Sequence, residues 1–217
     1  ARDLQLNADY VITCTHFAKQ SIAEAFPILG DKLHVIPHYP SPIFTPGKID
    51  HDLLSQHSLP ENCVLFVSAI RKHKNWDGML AAWSALPNEL QVKHPLVFVA
   101  SKKKMRRKIK SENVIFTERI DDKVLLHLYR SAKLMVFPSF AEGFGLPPVE
   151  ALACECLVIS SNSTCLPEVL GDAVDYFNPF DTPQLTSLMN AKLIAESGSA
   201  SLTTLWSPQK TGESLVA

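Results

Sequence analysis

The chain passes from an apolar segment into a helix through the stretch Ser139-Phe-Ala-Glu-Gly-Phe-Gly-Leu-Pro-Pro-Val-Glu150, and this stretch decides the fold. The preceding segment, Leu134–Phe137, lacks the polar alternation of a half-exposed strand, which predicts a strand buried on both faces. Gly143 and Gly145 permit positive φ and close backbone approach, and the two prolines after them suit the first turn of a helix. The stretch therefore predicts a glycine-rich turn into a helix N-terminus, which suits a phosphate or a sugar oxygen.

Two carboxylates flank this turn. Glu142 precedes the predicted helix and Glu150 lies within it, so the pair could contact one ligand at two points. The alternative is a turn whose glycines serve only tight packing, with both glutamates in solvent. Short glycine motifs are common, and the spacing alone does not choose between these interpretations.

Strand and helix patterns alternate along most of the chain, and the strands are rich in Val and Ile. This alternation predicts an α/β fold with a doubly wound, Rossmann-like parallel sheet and a ligand crevice at the carboxyl ends of its strands. The predicted strands are residues 9–14, 33–37, 64–69, 96–100, 114–117, 134–137, 157–160 and 174–177, and the predicted helices are residues 16–26, 76–85, 122–132, 147–153, 166–170 and a last one after Asp181.

A proline-rich segment divides this pattern. Residues 37–47 contain four prolines and one glycine, a composition typical of a linker or hinge. We expect residues 1–46 to form a terminal βαβ piece plus this linker, and residues 47–217 to form a larger domain. Residues 198–217 are rich in Ser and Thr and predict a loop followed by the start of a helix.

Composition excludes several classes of protein. The 217 residues are 46% hydrophobic, enough for a sizeable core, and the net charge of −1 favours no binding to nucleic acid. No apolar run approaches the ~20 residues that span a bilayer. Five cysteines cannot all pair within the chain, which favours a reducing cytoplasm, and neither they nor the histidines have the spacing of a metal site.

Two basic runs have different interpretations. Residues 71–75, RKHKN, follow the first strand after the linker, so they should share the Glu142 edge of the sheet and attract an anion, although such runs are also common as solvated loops. Residues 102–110 hold seven cations in nine positions without aromatic residues. This second run predicts a solvated helix or loop, or else peripheral attraction to anionic lipid or a phosphorylated acceptor.

Motifs of three common enzyme classes are missing from the sequence. It has no Gly-x-Ser-x-Gly elbow, no Gly-x-x-x-x-Gly-Lys-Ser/Thr loop and no Gly-x-Gly-x-x-Gly at a first βα turn. Hydrolase, P-loop nucleotidase and dinucleotide dehydrogenase functions therefore lose their main support.

A series of motifs resembles the donor-binding half of the family 4 retaining glycosyltransferases of GT-B type, and nearly the whole chain is covered. The most specific is Glu142-Gly-Phe-Gly-Leu-Pro with Glu150 eight positions after Glu142. The others are residues 8–13 and 35–37, residues 67–71 with Lys74 and Asn75, residues 150–154, 158–160, 166–169 and 171–173, and Pro179 with Asp181.

The resemblance implies transfer of a hexose from a nucleoside-diphosphate sugar, of the GDP-mannose or UDP-glucose type, with retention of configuration and no obligatory metal or other cofactor. Residues 47–217 would be the nucleotide-sugar donor-binding domain. The implied catalytic residues are Glu142, Lys74 and Arg71, with the two cations on the diphosphate. The implied donor-binding residues are Glu150 on the ribose, Gly143, Phe144, Gly145 and Leu146 on the sugar and phosphate, and Ile120 near the base.

The resemblance also implies partners, and the chain departs from the family pattern at several positions. We expect a glycan or lipid-linked acceptor, a missing N-terminal domain without which the chain is inactive, and a cytoplasmic location, at the membrane face if peripheral contact occurs. The family usually has Gly-x-Pro where this chain has Glu155-Cys-Leu, and many members have arginine where this chain has Ala69.

Two alternatives to a transferase remain. One is a nucleotide-sugar-binding module that acts in trans with a partner chain, which predicts an exposed apolar face for docking. The other is a nucleotide-sugar epimerase on a related two-domain scaffold, and the motif that begins at Glu142 is evidence against it.

Overall fold

A computed structural model describes residues 8–100, 111–117 and 120–195. The basic run at residues 102–110, Arg119 and the Ser/Thr-rich residues 198–217 lie outside the described residues. In the part that is described, no helix has the length and apolar character needed to cross a bilayer.

The predicted alternation of strands and helices is confirmed. The strands are β1 Val11–Thr13, β2 Leu33–Val35, β3 Val64–Val67, β4 Leu96–Val99, β5 Val114–Thr117, β6 Leu134–Phe137, β7 Val158–Ser161 and β8 Asp175–Phe177. The α-helices are α1 His16–Ala25, α2 His51–Gln56, α3 Trp76–Ser84, α4 Asn88–Lys93, α5 Asp122–Ser131, α6 Leu146–Ala153, α7 Leu166–Leu170 and α8 Thr182–Ile194. Short 3₁₀ turns occupy Pro27–Lys32, Lys72–Lys74 and Gly171–Ala173.

Six parallel strands form the main sheet in the order β5-β4-β3-β6-β7-β8. The chain first steps outward from β3 to β5, then crosses to β6 and continues outward to β8. This is the doubly wound order that the sequence predicts, and its switch point lies between β3 and β6. β1 and β2 form a separate parallel pair, and the division into two domains near residue 46 stays a prediction.

Helices cover both faces of this sheet, which explains the apolar strands. In β3, Val64 and Phe66 pack in one core cluster with α3 and α8, whereas Leu65 and Val67 pack in the other with α5 and α6. All four residues of β6 are buried, as predicted. This double covering leaves the carboxyl ends of β3 and β6 as the place where polar loops emerge side by side.

The second half of the proline-rich segment is held against α5. The Arg130 guanidinium donates hydrogen bonds to the carbonyl oxygens of Thr45, Pro46 and Lys48 at 2.9 to 3.2 Å. Phe44 is buried and its ring meets that of Tyr129 edge-on, with 5.7 Å between centroids. The proline-rich segment therefore has a fixed path past α5 and packs against Tyr129.

Candidate active site

The turn from β6 into α6 has the predicted form, but the backbone conformation requires glycine at only one of its two glycine positions. Gly145 has a φ of +89°, and a Cβ there would lie 2.8 Å from the Leu166 side chain. Gly143 lacks a positive φ, and a Cβ there would meet nothing within 4 Å. Pro147 and Pro148 have no N–H groups, so these two positions of the first turn of α6 can donate nothing to an anion, and the amides of residues 143–146 stay the predicted donors.

Lys74 and Glu142 meet at the switch point of the sheet. Lys74 ends the 3₁₀ turn after β3, Glu142 lies in the loop after β6, and 2.6 Å separates Nζ from Oε1. Their side chains are only 18% and 10% exposed, and Nζ also lies 5.7 Å from the centroid of the Phe137 ring. A ligand in this crevice would therefore contact a cation and a carboxylate that are already held together.

Contacts from other loops hold Glu142 in place. The Glu142 N–H donates to Thr164 Oγ1 at 3.0 Å, and Cys165 Sγ donates to the Glu142 carbonyl at 3.3 Å. The Phe140 N–H donates to the His73 carbonyl at 2.7 Å, which joins the loops after β3 and β6. Thr164 and Cys165 are not predicted site residues, because nothing in the local sequence signals a contact with a loop 22 residues away.

Glu150 lies in α6 behind this turn and is paired with a buried hydroxyl. The Tyr129 OH donates to Glu150 Oε2 at 3.1 Å. Burial raises the pKa of Glu150, an effect that Asp122 adds to and the Tyr129 hydrogen bond opposes. The tyrosine itself is fully buried, and burial together with the nearby carboxylate raises its own pKa well above the usual value. Oε1 has no hydrogen-bond partner among the described residues.

Arg71 and Ile120 lie at the same edge of the sheet but outside the Lys74–Glu142 contact. Arg71 is exposed at the start of the 3₁₀ turn and forms no ion pair within the described ranges. Ile120 is half-buried next to Asp121, whose carboxylate caps α5 by accepting from the Val124 N–H at 2.9 Å. Their assignment to the diphosphate and the base stays a prediction.

The N-terminal βαβ piece contacts the glycine-rich turn. Thr15 Oγ1 donates to the Gly143 carbonyl at 3.1 Å and accepts from the Ala18 N–H as the cap of α1, while Cys14 Sγ donates to the same carbonyl at 3.2 Å. A threonine before a helix signals a cap, but no local pattern predicts its second partner 128 residues away.

Glu168 makes the second link between the same two parts. Its carboxylate oxygens accept from the N–H groups of His16 at 2.7 Å and Phe17 at 2.9 Å, which are the first free donors of α1. A carboxylate is favourable at the positive end of a helix dipole. Residues 15–17 are therefore fixed against the loops that surround the crevice.

The described residues contain no cluster of side chains suited to metal or thiol chemistry. No three His, Cys, Asp or Glu side chains there lie close enough to hold a metal ion. The five cysteines are free, and burial raises the pKa of Cys63, Cys154 and Cys165 to about 12, so these thiols stay protonated. That the reaction needs no metal or other cofactor stays a prediction.

The sequence of this chain is similar to a known family and to curated proteins. The model of the family "Glycosyl transferases group 1" matches residues 54–188. The chain is 33% identical over 202 residues to the serotype-specific mannosyltransferase WbdA of Escherichia coli, covering 88% of this chain and 24% of WbdA. It is 28% identical over 192 residues to the O-antigen chain mannosyltransferase B of the same organism, covering 83% of this chain and 50% of that protein. The chain thus spans about a quarter to a half of these relatives.

Solved structures agree on the fold. Sucrose-phosphate synthase from Thermosynechococcus elongatus superposes with a TM-score of 0.70 at 25% identity, over 88% of this chain and 51% of that one. The structural neighbours, of which this synthase is one, are GT-B glycosyltransferases, so the predicted C-terminal half of a GT-B architecture is confirmed. The comparisons do not favour the trans-acting module or the epimerase.

Proposed function

Because the chain belongs to the family of group 1 glycosyl transferases, we propose that it provides the donor site for transfer of a hexose, of the mannose or glucose type, from a nucleoside-diphosphate sugar with retention of configuration. The observation that carries this proposal is the meeting of Lys74 and Glu142 at the switch point of the sheet. Ligands of doubly wound sheets bind in the crevice at that point.

The charges of the crevice suit such a reaction. The bond from the sugar C1 to the diphosphate oxygen breaks, a bond from C1 to an acceptor hydroxyl oxygen forms, and the hydroxyl proton passes to the departing diphosphate. Negative charge therefore grows on the diphosphate, and Lys74, Arg71 and the amides of residues 143–146 would stabilise it more in the transition state than in the ground state. Loss of one such donor typically costs about 3 kcal/mol, or roughly a hundredfold in rate.

The two glutamates have separate roles in this proposal. Glu142, fixed beside Lys74, would accept hydrogen bonds from the hydroxyls of the donor sugar. Glu150, one turn into α6, would accept from the ribose, and the backbone near Ile120 would face the base. The donor is of the GDP-mannose or UDP-glucose type.

The acceptor side requires residues beyond those of this crevice. We propose that a further N-terminal domain supplies them, that the acceptor is a glycan or a lipid-linked sugar, and that the chain alone is inactive. Exposed apolar side chains near the β1–β2 pair support a docking surface for such a domain, namely Tyr10, Ile12 and Ile28. We propose that the protein is located in the cytoplasm, and at the membrane face if it makes peripheral contact with the membrane.

Calorimetric titration tests the donor proposal directly. The purified chain is titrated with UDP, GDP and ADP, and then with their glucose and mannose conjugates, first without metal and then with Mg²⁺. We expect metal-independent binding of one nucleotide, which names the base, and tighter binding of one of its sugar conjugates. A folded chain that binds none of them would overturn the proposal.

A further inference from the structure

Tyr129 is buried beneath the candidate ribose carboxylate, and its only polar side-chain atom is directed at it. Its side chain is fully covered in the core between α5 and the sheet, and its OH donates to Glu150 Oε2 at 3.1 Å. We propose that Tyr129 is a positioning residue: by holding Oε2, it directs Oε1 of Glu150 at the ribose hydroxyls of the donor and so makes the site select ribonucleotides over deoxyribonucleotides. This inference rests on the proposed function.

Glu150 needs such a partner because its carboxylate is otherwise poorly fixed. The last torsion of a glutamate side chain has broad, roughly two-fold preferences, so the carboxylate plane is not set by rotamer choice. Partial burial also disfavours the ionised form, which is the form that accepts hydrogen bonds from two hydroxyls. A donated hydrogen bond to Oε2 opposes both effects, since it fixes the plane and stabilises the charge.

Tyr129 can fix the carboxylate because the tyrosine ring has no freedom of its own. The residue lies in α5, packs within the core, and meets the Phe44 ring edge-on at 5.7 Å between centroids. Phe44 belongs to the proline-rich segment that Arg130 holds in place. The position of the hydroxyl is therefore set by α5, by the core packing and by the proline-rich segment, whereas a surface hydroxyl would be free to move.

The consequence is a specificity that can be measured. A site built to hydrogen-bond a hydroxyl rejects the analogue that lacks it, because the buried polar group is then left unpaired. We expect the chain to bind a ribonucleoside diphosphate at least about tenfold more tightly than its 2′-deoxy or 3′-deoxy counterpart. Without the Tyr129 hydroxyl, the carboxylate can turn, and this preference should fall to about threefold or less.

The experiment compares Tyr129→Phe with a matched control. Tyr176 is partly buried and its OH donates to the Gly171 carbonyl at 2.7 Å; within the described residues this hydroxyl forms no hydrogen bond with a predicted site residue, so Tyr176→Phe removes the same atom elsewhere. Wild type and both variants are titrated with whichever of UDP, GDP and ADP binds, and with the 2′-deoxy and 3′-deoxy forms of that nucleotide. Circular dichroism and urea unfolding verify the fold of each variant.

The expected result is a preference for the ribonucleotide in wild type and Tyr176→Phe that Tyr129→Phe largely loses. An unchanged preference in Tyr129→Phe overturns this inference but leaves the proposed function standing, as does a wild type that binds both forms equally. A wild type that binds no nucleotide overturns both. If Tyr129→Phe fails to fold, Phe44→Leu takes its place, because it keeps the hydroxyl but loosens the ring, and an unchanged preference in that variant would also overturn the inference.

Discussion

The side chains of Lys74 and Glu142, 68 residues apart in the sequence, form an ion pair with 2.6 Å between Nζ and Oε1. Each follows one of the two strands that flank the switch point of the sheet. The pair neutralises two charges that would otherwise be costly in a largely covered crevice. A diphosphate that approaches Lys74 must share or replace the carboxylate, so binding and the ion pair are coupled.

Lys74→Ala and Glu142→Ala should each weaken binding of the nucleotide sugar by about tenfold to a hundredfold, because each removes a charged hydrogen-bonding partner of the ligand. Lys74→Ala should also weaken the bare nucleotide diphosphate, whereas Glu142→Ala should affect mainly the sugar conjugate. Isothermal titration calorimetry measures both effects, and circular dichroism checks that the fold is intact.

The matched control for these variants is Lys192→Ala. Lys192 in α8 forms an ion pair with Asp175 in β8, a contact that involves no predicted site residue. This variant should bind the nucleotide sugar as wild type does. Wild-type binding by Lys74→Ala and Glu142→Ala would remove both residues from the site.

Binding should also depend on pH through Glu150. Burial raises the pKa of this carboxyl above its ordinary value of 4.5, so its charged form is lost at a higher pH than for an exposed glutamate. Affinity for a nucleotide sugar, whose diphosphate does not titrate near neutrality, should therefore fall as the pH is lowered from about 7.5 to 5. Calorimetry across that range measures the effect.

Glu150→Gln is the control, because an amide does not titrate. Its affinity should be lower than that of wild type at pH 7.5 but should change less toward pH 5. Parallel pH profiles of affinity for wild type and Glu150→Gln would contradict a role for this carboxylate.

The same raised pKa means that the contribution of Glu150 to folding stability is largest below the unfolded-state pKa and is lost as the pH rises through the folded-state pKa.

The sequence was sufficient for the sheet because its strands are buried on both faces. Val64–Val67 and Leu134–Phe137 are short continuous apolar runs, which are typical of strands buried on both faces of a parallel sheet. His51–Gln56 and Asn88–Lys93 were not predicted, since six residues are too few for a helical period to stand out.

The candidate site was predictable only where its residues belong to one motif. Glu142, Gly145 and Glu150 share a stretch of sequence, and the alternation of elements brings Lys74 to the same edge. By contrast, Tyr129 resembles any core residue of an amphipathic helix until its hydrogen bond to Glu150 is seen. Contacts of this kind depend on how helices pack, which local sequence does not encode.

Thr15→Ala should destabilise the protein by about 1–2 kcal/mol, because it removes the cap of α1. The buried Oγ1 accepts from the Ala18 N–H and donates to the Gly143 carbonyl, so both groups lose a partner. Thr15→Ser keeps the hydroxyl and should stay within about 0.5 kcal/mol of wild type. Urea unfolding followed by circular dichroism measures both variants, and equal losses in the two would show that the methyl group, not the hydroxyl, matters.

Glu155→Gly should stabilise the protein, because Glu155 occupies a left-handed backbone position at the end of α6 with a φ of +62°. The Cys156 N–H donates to the Ala151 carbonyl and the Glu155 N–H to the Leu152 carbonyl, the two bonds of a Schellman motif, in which glycine is the usual residue at the left-handed position. Left-handed backbone costs a non-glycine residue about 1–2 kcal/mol, and the extra chain entropy that glycine loses on folding offsets about 0.5–1 kcal/mol of the gain. The net increase in the free energy of unfolding should therefore be about 0.5–1 kcal/mol, measured by urea denaturation. Glu155→Ala removes the same exposed carboxylate but keeps the Cβ, so a gain as large in that variant would attribute the effect to charge and contradict the backbone explanation.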